Sequence, residues 1–98
     1  MKIQILYFGG CPNHAPTVAL VNQVVAKLQM DVQVEEIEVA SPEDAVAQRF
    51  LGSPTVLVNG VDIDPQARQR TDCGFSCRLY DGMSGLPSED LLMSALQA

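Results

Sequence analysis

Three cysteines and one histidine hold most of the chemistry open to this chain. Cys11 stands in Gly9-Gly10-Cys11-Pro12-Asn13-His14, while Cys73 and Cys77 stand in Arg70-Thr71-Asp72-Cys73-Gly74-Phe75-Ser76-Cys77-Arg78. A thiolate attacks disulfides and also binds soft metals, so what matters is the setting of each cysteine. Cys11 follows an apolar, β-branched run from Ile3 to Phe8 and precedes a stripe at Val18, Val21, Val25 and Leu28, widened by Leu20 and Val24. The spacing reads as strand, glycine turn, helix, with the cysteine at the helix entrance. Pro12 suits the first helical position, where its missing N–H costs nothing, which makes Cys11 the expected N-cap. Unpaired N–H groups and the positive end of the helix dipole favour a thiolate at such a place. His14, about one turn in, adds positive charge when protonated. The plainer alternatives are a small buried hydrophobe for Cys11 and a capping or surface role for His14.

The elements that must position these residues follow in order. A first strand over residues 2–8 and a helix from 12 or 14 to 29 lead to a second strand at 32–39. Its alternation slips at Glu35-Glu36, which implies a bulge or an edge position. Ser41-Pro42-Glu43-Asp44 is a helix start, with a serine cap, proline first and acids matching the dipole. That short helix carries Ala45, Val46, Arg49 and Phe50 and stops at Gly52. Residues 55–58 form a buried strand, Asn59-Gly60 a hairpin turn, and 61–64 its partner, closed by Pro65. A last helix at 88–96 is capped by Ser88 and shows Leu91, Leu92, Ala95 and Leu96 on its apolar face. Between them, residues 64–87 are long for a loop; Phe75, Leu79 and Tyr80 argue against disorder, a helical turn is expected at 74–79, and Tyr80 reads as a packing residue.

The chain has 98 residues, enough for one domain spanning 1–98 with a single core. Six basic residues against twelve acidic ones give a net charge of −6, the wrong sign for nucleic acid or an anionic membrane. No apolar run approaches the ~18–20 residues of a membrane span, and no signal-peptide pattern opens the chain. An odd cysteine count is unlike a secreted disulfide framework, so a cytoplasmic protein with reduced thiols is expected. Nothing in the sequence asks for a cofactor.

Strand, Gly10-Cys11-Pro12-Asn13-His14, helix, then Gly52-Ser53-Pro54-Thr55-Val56 opening a hairpin strand, resembles the thioredoxin superfamily. The likeness covers about residues 2–63 and 88–98. It implies an α/β thioredoxin-like fold, β-α-β-α-β-β-α, with a central mixed four-stranded sheet and an inserted loop before the last helix. It further implies a nucleophilic Cys11 facing a cis-proline, Pro54, with Pro12, Ser53 and Thr55 shaping the substrate groove. More narrowly, the chain is similar to small thioredoxin-like proteins labelled alkylmercury lyase or DF-type (seleno)protein, with Cys73 where their pattern has phenylalanine. No residue independently indicates carbon–mercury cleavage. His14 replaces the second cysteine of the superfamily's Cys-x-x-Cys.

The expected function is therefore that of a thiol-disulfide oxidoreductase acting on a protein or low-molecular-weight thiol or disulfide. Without a thiol at position 14, a mixed disulfide waits for an external thiol or for Cys77 or Cys73. Cys73 and Cys77 share a face if helical, and could instead pair with each other or be structural. Arg70 and Arg78 would lower thiol pKa values or bind an anionic thiol, or simply be solvated. Two other classes stay open: a soft-metal carrier using Cys11, Cys73 and Cys77, and a non-catalytic adaptor.

Overall fold

The structure, a computed structural model, describes residues 1–48, 50–64 and 87–97. The expectations for Arg49, Pro65, Arg70, Cys73, Cys77, Arg78, Tyr80 and the helical turn at 74–79 lie outside the described residues.

Strand β1 (Lys2–Tyr7) runs through the middle of a four-stranded sheet, because Ile3, Ile5 and Leu6 are buried on its two faces. Helix α1 (His14–Leu28) returns the chain, so that β2 (Gln33–Glu38) pairs parallel to β1 from Lys2↔Gln33 to Tyr7↔Glu38. After α2 (Pro42–Ala47), β3 (Thr55–Val58) pairs antiparallel on the other flank of β1, from Ile3↔Val58 to Leu6↔Thr55. A two-residue strand β4 (Val61–Asp62) closes the hairpin, giving the order β2-β1-β3-β4, and α3 (Glu89–Gln97) completes the described chain. Among the described residues this is an α/β arrangement of one mixed sheet and three helices.

The period of two divides the core. Ile3 and Ile5 of β1 and Val56 and Val58 of β3 face Val21 and Val24 of α1 and Leu92 and Leu96 of α3. Leu6, on the opposite face, packs with Val39, Phe50 and Ala45 of α2, and with the partly buried Phe8, Ile37 and Leu57. Thus α1 and α3 cover one face and α2 covers the other. Among the described residues, no helix is long and apolar enough to cross a membrane.

Several local expectations change. Strand β2 has an unbroken register with β1, so Glu35-Glu36 marks an edge and not a bulge. Helix α2 stops at Ala47, well before Gly52, and Val46 points to solvent at 64 % exposure. Phe50 is buried from the segment beyond the helix, where its N–H donates to the Ala45 carbonyl at 2.8 Å. A six-residue helix has room for one buried position on its core side, and Ala45 fills it. Strand β4 is cut short because the Asp62 carboxylate accepts the Asp64 N–H at 2.9 Å, folding the chain into an Asx turn.

The caps behave as their sequences imply. Ser41 Oγ accepts the Asp44 N–H, and Ser88 Oγ accepts the Leu91 N–H, each at 3.1 Å. Asn59 and Gly60 both take positive φ, 51° and 82°, the requirement of the type I′ hairpin turn. Asn59 also fastens this turn to the start of β1: its N–H donates to the Lys2 carbonyl, and its Oδ1 accepts the Lys2 N–H. Replacing Asn59 by Ala removes that acceptor and places a side chain unsuited to positive φ. Urea denaturation of Asn59→Ala is expected to show a loss of about 1–2 kcal/mol, with Asn59→Gly losing less because glycine restores the backbone freedom.

Candidate functional site

Three strand ends meet where β1 finishes. Tyr7 pairs with Glu38, the last residue of β2, and Leu6 pairs with Thr55, the first of β3. The segment after Tyr7 and the segment before Thr55 therefore leave the sheet side by side. The first holds Cys11; the second is Gly52-Ser53-Pro54, and its Ser53–Pro54 peptide bond is cis.

Cys11 is the junction of two consecutive turns. Its N–H donates to the Phe8 carbonyl at 3.2 Å, closing a turn through Gly9 and Gly10, where Gly10 takes φ +87°. Its carbonyl accepts the His14 N–H at 3.3 Å, closing a second turn through Pro12 and Asn13. Asn13, at φ −97° and ψ 1°, has the backbone of the last central position of a type I turn, which leaves Pro12 the position its fixed φ favours. The expected N-cap is thus corrected. Asn13, not Cys11, precedes the first helical residue, and α1 begins at His14 and not at Pro12. A proline ahead of a helix serves a turn as well as a first helical position, and here the two hydrogen bonds of Cys11 select the turn. Cys11 is a free thiol with 9 % of its surface exposed, and Pro12 beside it is exposed.

His14 is held from two strands. Its ring stacks on Tyr7 of β1 with centroids 3.6 Å apart and planes 8° from parallel. Its Nε2 lies 2.7 Å from Glu36 Oε1 of β2. With side chains 23 % and 48 % exposed, this pair is worth at most ~1 kcal/mol of stability. Its value is geometric: backbone to Cys11, side chain to the sheet.

Ser53, Pro54 and Thr55 are buried, and Thr55 Oγ1 donates to the Gly52 carbonyl at 2.6 Å, which braces the cis segment. Among the described residues, two hydroxyls on fully buried residues have no hydrogen-bond partner, Ser53 Oγ and, on the sheet-facing side of α1, Thr17 Oγ1. Buried polar atoms are ordinarily satisfied, so these two depart from the general rule.

Of the residues singled out from sequence, the structure gathers Cys11, Pro12 and His14 in one turn and Ser53, Pro54 and Thr55 at the same end of the sheet. Cys73, Cys77, Arg70 and Arg78 lie outside the described residues, and with them the three-thiol metal site. Among the described residues, no three His, Cys, Asp or Glu side chains are grouped to hold a metal. Tyr7, Thr17 and Glu36 are additions that sequence reasoning passed over. Thr17 had a signal, since it precedes Val21 by four residues and Val24 by seven on the buried stripe. Glu36 had one too, in the slipped alternation of its strand. No family model, curated protein or solved structure matches the chain.

The turn that presents Cys11 is tested at its glycines. An added Cβ at Gly10 meets open space but sits at φ +87°, whereas one at Gly9 meets only the far end of the Glu38 side chain, at 2.9 Å. Gly10→Ala is expected to cost about 1–2 kcal/mol in a denaturant titration, from left-handed backbone alone. Gly9→Ala is expected to cost less, because the Glu38 carboxylate can swing aside.

Proposed function

We propose that the chain is a thioredoxin-like thiol-disulfide oxidoreductase whose nucleophile is Cys11. The observation that carries this reading is one placement: a free cysteine ahead of a helix, set by two turns, at the same end of the sheet as the cis Ser53–Pro54 bond. A cysteine kept only for packing needs neither the left-handed Gly10 nor a buried proline segment at the same sheet end. The positive end of the α1 dipole lies toward the turn that carries Cys11 and favours a sulfur that becomes anionic.

In the reaction, the Cys11 thiolate attacks one sulfur of a disulfide, the S–S bond breaks, and the departing sulfur leaves as a thiolate that takes a proton from solvent. Cys11 is then half of a mixed disulfide, and one substrate sulfur has left as a thiol. An external thiol that attacks the remaining substrate sulfur returns Cys11 to the thiolate, whereas attack by Cys77 on the Cys11 sulfur expels the substrate thiolate and leaves a Cys11–Cys77 disulfide for an external thiol to reopen. The cis segment would shape the groove for the substrate, with the backbone of Ser53 or Thr55 available to an extended chain. The natural partner is a thiol or disulfide compound, in the cytoplasm, with no metal or organic cofactor required for the exchange itself.

Reduced full-length protein mixed with an aromatic disulfide reagent at pH 7 checks this directly, with peptide mass mapping of the product. Cys11 is expected to be modified at least ~10-fold faster than a cysteine in an unstructured peptide, and the fast phase to vanish in Cys11→Ser. A Cys11 that stays unmodified, or reacts at the peptide rate, would end the redox reading.

A further inference from the structure

The histidine that occupies the place of a second thiol is held so that one particular nitrogen is left open. A carboxylate can only accept a hydrogen bond, so the 2.7 Å contact with Glu36 Oε1 favours the tautomer with a proton on His14 Nε2. In the neutral imidazole that assignment puts the lone pair on Nδ1. Among the described residues Nδ1 makes no hydrogen bond, and the His14 side chain keeps 23 % of its surface in solvent. A ring turned over by 180° would keep the face-to-face stack on Tyr7 but give up the Glu36 contact, which therefore selects this orientation. The groups facing it are Tyr7 from β1, Glu36 from β2 and, through its own N–H, the carbonyl of Cys11, with Glu38 further along β2 over Gly9.

We propose that His14 Nδ1 is the general base for an external monothiol in the second half of the exchange, with Glu36 as the positioning residue that fixes its tautomer. This rests on the reading of Cys11 as the nucleophile. An incoming thiol R′SH gives its proton to Nδ1, and the resulting R′S⁻ attacks the substrate sulfur of the Cys11 mixed disulfide. The Cys11–S bond to that sulfur breaks, a new S–S bond forms between R′ and the substrate, and Cys11 departs as thiolate with the electron pair. The imidazolium returns its proton to solvent or to the thiolate released in the next turnover. Electrons come from the external thiol alone. The base is assigned to the second half-reaction alone, where the incoming thiol must lose its proton.

The two halves are measured separately on the full chain. Formation of the mixed disulfide with an aromatic disulfide reagent reports the first, and its reduction by 2-mercaptoethanol, read at the Cys11 peptide by mass spectrometry, reports the second. His14→Gln is expected to leave formation within about twofold while slowing reduction about 10²-fold at pH 7. The deficit should disappear at pH 10, above the ordinary thiol pKa of ~8.5, where the external thiol ionises unaided. Glu36→Gln, which retains an acceptor for Nε2–H, should behave like wild type, and Glu36→Ala should fall between. Circular dichroism of each variant checks that the fold is retained.

The proposal is overturned if His14→Gln slows both halves alike, slows neither, or keeps its deficit at pH 10. Decay of the mixed disulfide at an equal rate with no added thiol also overturns it, since the chain then resolves itself. A Cys11 that never forms the mixed disulfide is a different result: it removes the nucleophile reading and this base together.

Discussion

Strand β1 is hydrogen-bonded along both flanks, parallel to β2 on one side and antiparallel to β3 on the other, and that double pairing locates everything beyond Tyr7. A strand with one partner could shift its register by two residues and still bury the same face. A strand with two is held against both at once. The consequence is felt at its C-terminal end, where the exit of β1, the exit of β2 and the entry of β3 converge. Nothing about Cys11 alone requires Pro54 or Glu36 to lie at its end of the sheet. Leu6↔Thr55 and Tyr7↔Glu38 bring them to that end.

The apolar core supports this arrangement from both sides. Ile3 and Ile5 bind the sheet to α1 and α3, while Leu6 binds it to α2 and Phe50. Burying a side chain of this size contributes roughly 1.5–3 kcal/mol, several times more than any exposed ion pair here, so the sheet end is rigid for reasons unrelated to its polar groups. The polar groups then take up positions the core has already defined. Thr17 and Ser53 are exceptions, since their buried hydroxyls have no partner among the described residues.

Edge position gives β2 its mixed character. Its outer side needs no partner strand in the sheet, so glutamates at 35, 36 and 38 are tolerated and also discourage another strand from adding there. One of them is put to a second use. Glu36 sits on the strand next to the turn that carries Cys11 and reaches the histidine at the foot of α1. On the proposed redox reading, a residue that first discourages edge pairing also decides which nitrogen of His14 is open.

Much of the fold was legible in the sequence because it is written in local terms. The serine caps at 41 and 88, the Asn59-Gly60 turn and the 3.6-residue stripe of α1 each depend on neighbours within a few positions. The site was legible in part: Cys11, His14 and the Ser53-Pro54-Thr55 segment could be named, yet the Pro12 position was misread, since a turn and a helix start ask the same φ of proline. Glu36 and Tyr7 could not be tied to His14 from sequence, for their contacts span 22 residues in one case and a change of element in the other. Sequence by itself determined which elements form and that a cysteine stands between the first strand and its helix, because hydrogen bonds and periodicity within a segment decide those. Only the tertiary structure decided what shares that end of the sheet, because strand register, set by burial on two faces at once, brings distant residues there.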